Sequence, residues 1–402
     1  MSLSDQAARV VADLDSEYAI GVVEALCSRP SVSGDEAEVS RWTAEELRRL
    51  GLDVVEQEVL PGRCNVIATL DSGRPGPTLL FNGHLDTLPV PDGGRRDPYR
   101  PRRADGRLYG AEINNMKGAV GAMIAAVATI LPRRDEIAGR IILSAVIGEC
   151  DALGLGTLHM LESGLKADMA INGEPSDLKA MTCHSGVSQL RLAARGKSVH
   201  ICRKSEGRNA IEDLLAAAAC LDESILTFDS HPDFRGLPTL NVGVVRGGTL
   251  PSMLASEAEA LIDVRTVPGM TPESVLADVT RAVRAARTKD GREPDVRVEL
   301  IERPRFCQQH PYHVARDAPV VQVIADCHAA FVGAAPAIGP LFPQVFYGTD
   351  ASHLQRAGIS TIIYGPGKVE EINVPDESMA IEDLLTAARV YCLAAMQICA
   401  RR

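Results

Sequence analysis

Thr78-Leu79-Leu80-Phe81-Asn82-Gly83-His84-Leu85-Asp86-Thr87 runs from an apolar strand directly into a histidine and an acid two residues apart. On an extended chain such residues share a face. An imidazole that binds a metal commonly needs a carboxylate behind it to fix its tautomer. Two further apolar runs repeat the arrangement: 141–147 feeds Glu149-Cys150-Asp151, and 167–171 leads to Gly173-Glu174-Pro175. Pro175 holds Glu174 extended, so its carboxylate projects predictably. Three strands thus deliver three polar clusters to one sheet edge. The carboxyl ends of strands are the usual place for chemistry in an open α/β sheet.

Outward from this edge, 4–28 and 35–50 have helical periodicity, the second closed by Gly51, and 53–59 and 65–70 read as strands. From 186 onward the order changes to strand 186–194, helix 209–226, strands 239–245 and 257–264, helix 271–286 and strand 295–301. That βαββαβ order suits a small independent unit. Helix 320–332, strand 360–364 and helix 380–399 then resume the larger domain. The expected fold class is α/β: a large mixed-sheet catalytic domain, 1–185 with 302–402, and an inserted ferredoxin-like βαββαβ lid domain, 186–301.

Composition narrows the function. The length of 402 residues allows about two domains. A net charge of −11, 4% aromatics and a single tryptophan, Trp42, argue against nucleic-acid binding. The apolar stretch 118–131 is too short to span a bilayer, and 1–15 lacks the basic and apolar pattern of a signal peptide. Ten cysteines without a CxxC pair read as reduced core residues, so a cytoplasmic enzyme without membrane or nucleic-acid partners is expected.

The remaining polar stretches are Asn114-Asn115-Met116-Lys117-Gly118 and Asn373-Val374-Pro375-Asp376-Glu377. With the three above, their order resembles the M20 metallopeptidase and amidohydrolase family, and the resemblance runs from Ser33-Gly34 through Glu377. It implies that His84 and Glu174 bind a first zinc, that Asp86 supports the histidine, and that position 115 bridges two metals. Here Asn115 stands in place of the family's Asp; an amide is neutral and a poor bridge, and it serves equally well as a cap for the helix that follows. The family's Glu-Glu pair, general base then ligand, maps either onto Cys150 and Asp151 or onto Glu149 and Cys150. A thiolate is a good zinc ligand, but a thiol among acids is not an activated nucleophile, and Cys150 also fits as a buried space-filler. Asn373 replaces a metal-binding His and offers no imidazole nitrogen.

The resemblance further implies that His200, in Gly196-Lys197-Ser198-Val199-His200, polarises the substrate carbonyl from a neighbouring subunit. Ser252, Arg265, Gly348 and Asn373 are expected to contact substrate, Ser252 standing where the family has Asn. A dication in a partly dry pocket needs compensating anions, so the expected centre holds no metal or one weakly held divalent ion, zinc, on His84, Asn115, Asp151 and Glu174. The expected protein is a homodimer, joined through the lid, that acts on the amide bond of a small carboxylate-bearing amino-acid derivative. Two alternatives accompany it: a metal-independent biosynthetic enzyme that forms, transfers or rearranges an acyl or amide linkage, with Glu149 as acid/base, and a non-catalytic ligand-binding homologue.

Overall fold

The computed structural model describes residues 2–91, 93–94 and 97–401. The chain divides into two units, the first formed by 1–182, 314–344 and 349–402, the second by 183–313 and 345–348.

The first unit is built on an eight-stranded mixed sheet in the order Asp53–Leu60, Arg63–Asp71, Arg140–Val146, Thr78–His84, Met169–Asn172, Ser360–Ile363, Ala180–Met181, Ile338–Gly339. The four strands from Arg140–Val146 to Ser360–Ile363 are mutually parallel. Their register sets His84 opposite Val146, Asn82 opposite Asn172, and Asn172 opposite Ile363, so their carboxyl ends finish at one level. Thr78–His84 is buried along its whole length, as a central parallel strand covered on both faces must be.

The helix Gly118–Ile130 is buried from Gly118 through Val127 and packs against Ser16–Cys27 and Ile381–Ile398. With the segment before it, it belongs to Ile113–Glu136, the one stretch among the described residues long and apolar enough to cross a membrane; that stretch is mostly buried within the fold. The helical pattern of 4–28 resolves into two helices, Leu3–Asp13 and Ser16–Cys27, because the Asp15 carboxylate accepts the Tyr18 amide and starts the second one.

In the second unit, Thr239–Gly247, Glu257–Thr266, Gly186–Arg195 and Val296–Leu300 form an antiparallel sheet in that order. The helices Ala210–Ala218 and Pro272–Ala285 complete the βαββαβ plait. Leu190, Leu192, Ile262 and Val264 alternate along the strands into its core. The unit extends beyond 186–301 because Cys183–His184 pairs with Tyr312–His313.

Candidate active site

His84 ends its strand fully buried, and its Nδ1 donates to the Asp86 carbonyl at 2.8 Å. A carbonyl can only accept, so Nδ1 carries a proton; Nε2 is the nitrogen whose lone pair would face a cation once its own proton is displaced. Around Nε2 stand Asn115 Oδ1 at 3.3 Å, Glu174 Oε1 at 3.6 Å and Glu149 Oε2 at 3.8 Å. The Glu174 Oε1 atom is buried without a hydrogen-bond partner among the described residues.

Two glycines make this convergence possible. A Cβ at Gly83 would lie 2.8 Å from the Met116 side chain, and one at Gly173 would lie 2.7 Å from Met123 and 2.8 Å from Met116. Without side chains, the two strand ends let Met116 settle over them, and that seating carries Asn115 to His84. Asn115 is therefore not the helix cap considered from the sequence: the helix begins at Gly118, with Lys117 at its cap position.

Asp86 holds the turn after the neighbouring strand. Its Oδ1 accepts the Glu149 amide at 3.1 Å, and its Oδ2 accepts the Cys150 amide and the Ser33 hydroxyl, both at 2.9 Å. Thus anchored, the turn points Glu149 at the histidine. Asp151, expected among the ligands, stands outside this cluster; it is exposed and lies 3.9 Å from Arg63. The Cys150 sulfur is 3.9 Å from His84 Nδ1, the nitrogen already committed to Asp86. Burial, with Asp86 and Glu149 nearby, pushes the Cys150 thiol well up, so it is neither a thiolate nor an activated nucleophile.

The charges around His84 are unbalanced. Burial works against an imidazolium, but the carboxylates of Glu174, Glu149, Asp86 and Asp350 outweigh it and raise the His84 pKa to about 10. Burial likewise raises Glu174 to about 7 and Asp350 to about 6, and it raises Glu149, with Glu174 adding to the effect. Four acids around one ring form a site that calls for positive charge. Asp350 has no role in the sequence analysis; its nearness to the expected substrate contact Gly348, two residues earlier, is the signal that points to it. Its Oδ2 accepts the Thr157 hydroxyl at 2.7 Å, and its Oδ1 is buried without a hydrogen-bond partner within bonding distance among the described residues.

Asn373 lies elsewhere in the same unit. Its backbone is left-handed (φ 52°), its amide donates to Glu377 Oε2 at 3.3 Å, and its side-chain oxygen is buried without a partner among the described residues. Among the described residues, His, Cys, Asp and Glu groups spaced to hold a metal include His84 in every case: one with Glu149 and Glu174, the other with Asp86 and Cys150.

The other expected site residues belong to the plait unit. His200 is exposed, its Nδ1 accepting the Cys202 amide at 3.3 Å. The carbonyl of the exposed Ser252 accepts the Ile201 amide at 2.8 Å, which keeps Ser252 beside His200. Arg265 is held by Asp263 at 2.6 Å and donates to the Phe346 carbonyl at 3.0 Å. Gly348 packs so closely that a Cβ would meet Gln309 Oε1 at 1.8 Å.

Comparison with known proteins decides the family. The model of peptidase family M20/M25/M40 matches residues 80–397. The chain belongs to that family. This M20 chain is 29% identical over 398 residues to an acetylornithine deacetylase of Vibrio cholerae, spanning 94% of this chain and 98% of the relative. It is 30% identical over 395 residues to that of Vibrio campbellii, spanning 92% and 98%. The fold is shared with an M20 family metallo-carboxypeptidase from Sulfolobus solfataricus (TM-score 0.76, 17% identity, 94% of this chain and 98% of that one). It is also shared with a dinuclear metal-binding M20 peptidase from Bacillus subtilis (TM-score 0.69, 16% identity, 96% and 98%). The M20 chain is accordingly an enzyme of the amidohydrolase type.

The donors near His84 fit a metal ion. Tetrahedral zinc with bonds of 2.0–2.1 Å brings its ligand atoms about 3.3 Å apart, close to the separations of 3.3, 3.6 and 3.8 Å around Nε2. The orphaned Glu174 oxygen is the atom such an ion would satisfy.

Proposed function

We propose that the chain hydrolyses an amide bond in a small, carboxylate-bearing amino-acid derivative, using a centre that holds one divalent cation, zinc, rather than two. The observation that carries this reading is the ring of Asn115, Glu174 and Glu149 oxygens around His84 Nε2. The substrate class is supported by the relatives, which are acetylornithine deacetylases and peptidases. The single cation follows from the donors: Asn115 is neutral, and Asn373 brings an amide where an imidazole would be needed.

His84, Glu174 and Asn115 would hold the ion, which supplies a polarised carbonyl and an acidified water. Glu149 is the proton acceptor. Burial beside Glu174 raises its pKa from the ordinary carboxylate range, as a base working near neutrality requires. Asp86 positions that base through the Glu149 and Cys150 amides. The exposed His200 is the donor proposed for the substrate carbonyl, supplied within a homodimer.

Metal analysis of protein purified without chelator, combined with turnover on a panel of N-acyl amino acids and dipeptides, tests this reading. Glu149→Gln is expected to lower kcat by about 10²–10⁴-fold while the ion stays bound. Two tightly held equivalents of zinc per chain would refute the single-cation centre. Turnover indifferent to chelator but abolished in Glu149→Gln would instead favour the metal-independent enzyme, which the amides at 115 and 373 also suit.

A further inference from the structure

The turn that carries Glu149 is irregular. Gly148, Leu153 and Gly154 are left-handed (φ 69°, 51° and 90°). Its stem closes through the Gly154 and Leu155 amides, both 3.1 Å from the Gly148 carbonyl, and the Gly156 amide, 3.0 Å from the Ile147 carbonyl. Such a turn lacks the repeating hydrogen bonds of a helix or strand, so its direction is set by the side chains that hold it.

One buried side chain from outside the turn reaches both ends of the stem. Asn65, given no role from the sequence, is fully buried in the strand Arg63–Asp71. The backbone ladder between this strand and Arg140–Val146 runs as far as Val66 opposite Ala145. Asn65, the next residue, continues it with its side chain. Its Oδ1 accepts the Ile147 amide at 3.1 Å, and its Nδ2 donates to the Gly156 carbonyl at 2.9 Å. The same nitrogen donates to Oε1 of Gln57, its partner across the strand pair, at 3.0 Å. An asparagine amide offers one oxygen and two N–H donors, and here all of them are used. Gly156 makes the approach possible, since a Cβ there would lie 2.4 Å from Asn65 Oδ1. Two residues earlier, on the same face of the strand, Arg63 lies 3.9 Å from Asp151 in the turn, and its Nε donates to the buried Glu36 at 2.8 Å.

We infer that Asn65 is a positioning residue for the base: it locks residues 147 and 156 together and so keeps the Glu149 carboxylate 3.8 Å from His84 Nε2. The inference rests on the reading of Glu149 as proton acceptor. Asp86 fixes the near end of the turn through the Glu149 and Cys150 amides. Asn65 ties back the far end, where the chain enters the helix Leu155–Glu162. Without the amide, the Ile147 N–H and the Gly156 carbonyl are buried and lose a partner; the stem opens to satisfy them, and Glu149 moves with it. Proton transfer depends steeply on such placement, whereas His84, Glu174 and Asn115, the proposed metal donors, lie outside the turn.

Two variants test the inference. Asn65→Asp keeps the size and shape but sets a charged oxygen against the Gly156 carbonyl, and Asn65→Ala removes both bonds. With the N-acyl amino acid that the panel above shows to be turned over best, each is expected to lower kcat by about 10–100-fold, with KM and zinc content within about twofold of wild type. Added to Glu149→Gln, either change should cost no more than about twofold further, because both act through one group. Hydrogen exchange read by mass spectrometry should quicken by about tenfold or more across 147–156 while 78–84 keeps its rate. Exchange unaltered in Asn65→Ala, a parallel loss of zinc, or losses that multiply in the double variant would overturn the inference. Full activity in Glu149→Gln would remove the base assignment and the positioning role with it. Full activity in Asn65→Asp beside an inactive Glu149→Gln sinks the positioning role alone.

Discussion

Two buried clusters flank the loop that carries Glu112 and Asn115, and they treat charge in opposite ways. At the His84 end, four carboxylates surround one imidazole, and three oxygens approach its Nε2 within 3.8 Å. At the Asn373 end no imidazole is paired with the acids among the described residues; an amide oxygen and two acids, Glu112 and Glu377, face a cavity. Within one fold, an imidazole offers a transition metal a nitrogen ligand, whereas an asparagine offers only a neutral amide oxygen. The single-cation reading proposed above rests on that difference in donor atoms, since the backbone framework is the one shared across M20 enzymes.

The largest test removes a donor at the acid-rich end. Glu174→Gln is expected to weaken metal binding by about 100-fold or more and to abolish turnover, with metal content and kcat read on the same preparation. Retained metal and activity would erase the contrast between the two ends. A second test tries to make the ends alike. The double variant Asn115→Asp with Asn373→His restores an anionic bridge and an imidazole, and bound zinc should rise from one to two equivalents by elemental analysis. If one equivalent persists, the amides are not what limits the count.

The smallest expected effect is on stability. Glu112 and Glu377 have folded pKa values raised from 4.5 to about 8 and about 7. The folded state therefore binds more protons than the unfolded state between pH 4.5 and 8, and stability falls as pH rises through that window. Ligand-free protein should lose on the order of a few °C in melting temperature between pH 5 and 8, and Glu112→Gln should flatten that slope. An unchanged slope in the variant would place the pH dependence at the His84 end.

Much of this was legible in the chain. The apolar run Thr78–His84 and its parallel neighbours announced the sheet edge, and the alternation in Gly186–Arg195 announced the plait. His84, Glu174 and the asparagines at 115 and 373 could be read directly, because identity alone tells whether a side chain offers charge, nitrogen or an amide. The turn after Val146 could not be read. Glu149, Cys150 and Asp151 are consecutive acids and a thiol, and nothing local chooses among them. The choice comes from Asp86 capturing two amides of that turn, with Gly148 and Gly154 left-handed at its ends (φ 69° and 90°).

The sequence by itself thus determined the α/β framework, the family and the chemical kind of each donor, since periodicity and residue type are local properties. Only the tertiary structure decided which carboxylates meet. Asp350 reaches Thr157 across 193 residues, and Glu377 reaches the Glu112 amide across 265. Contacts at such separations depend on how strands order themselves in a sheet and which small residues let segments approach, and no stretch of chain records its own distant neighbours.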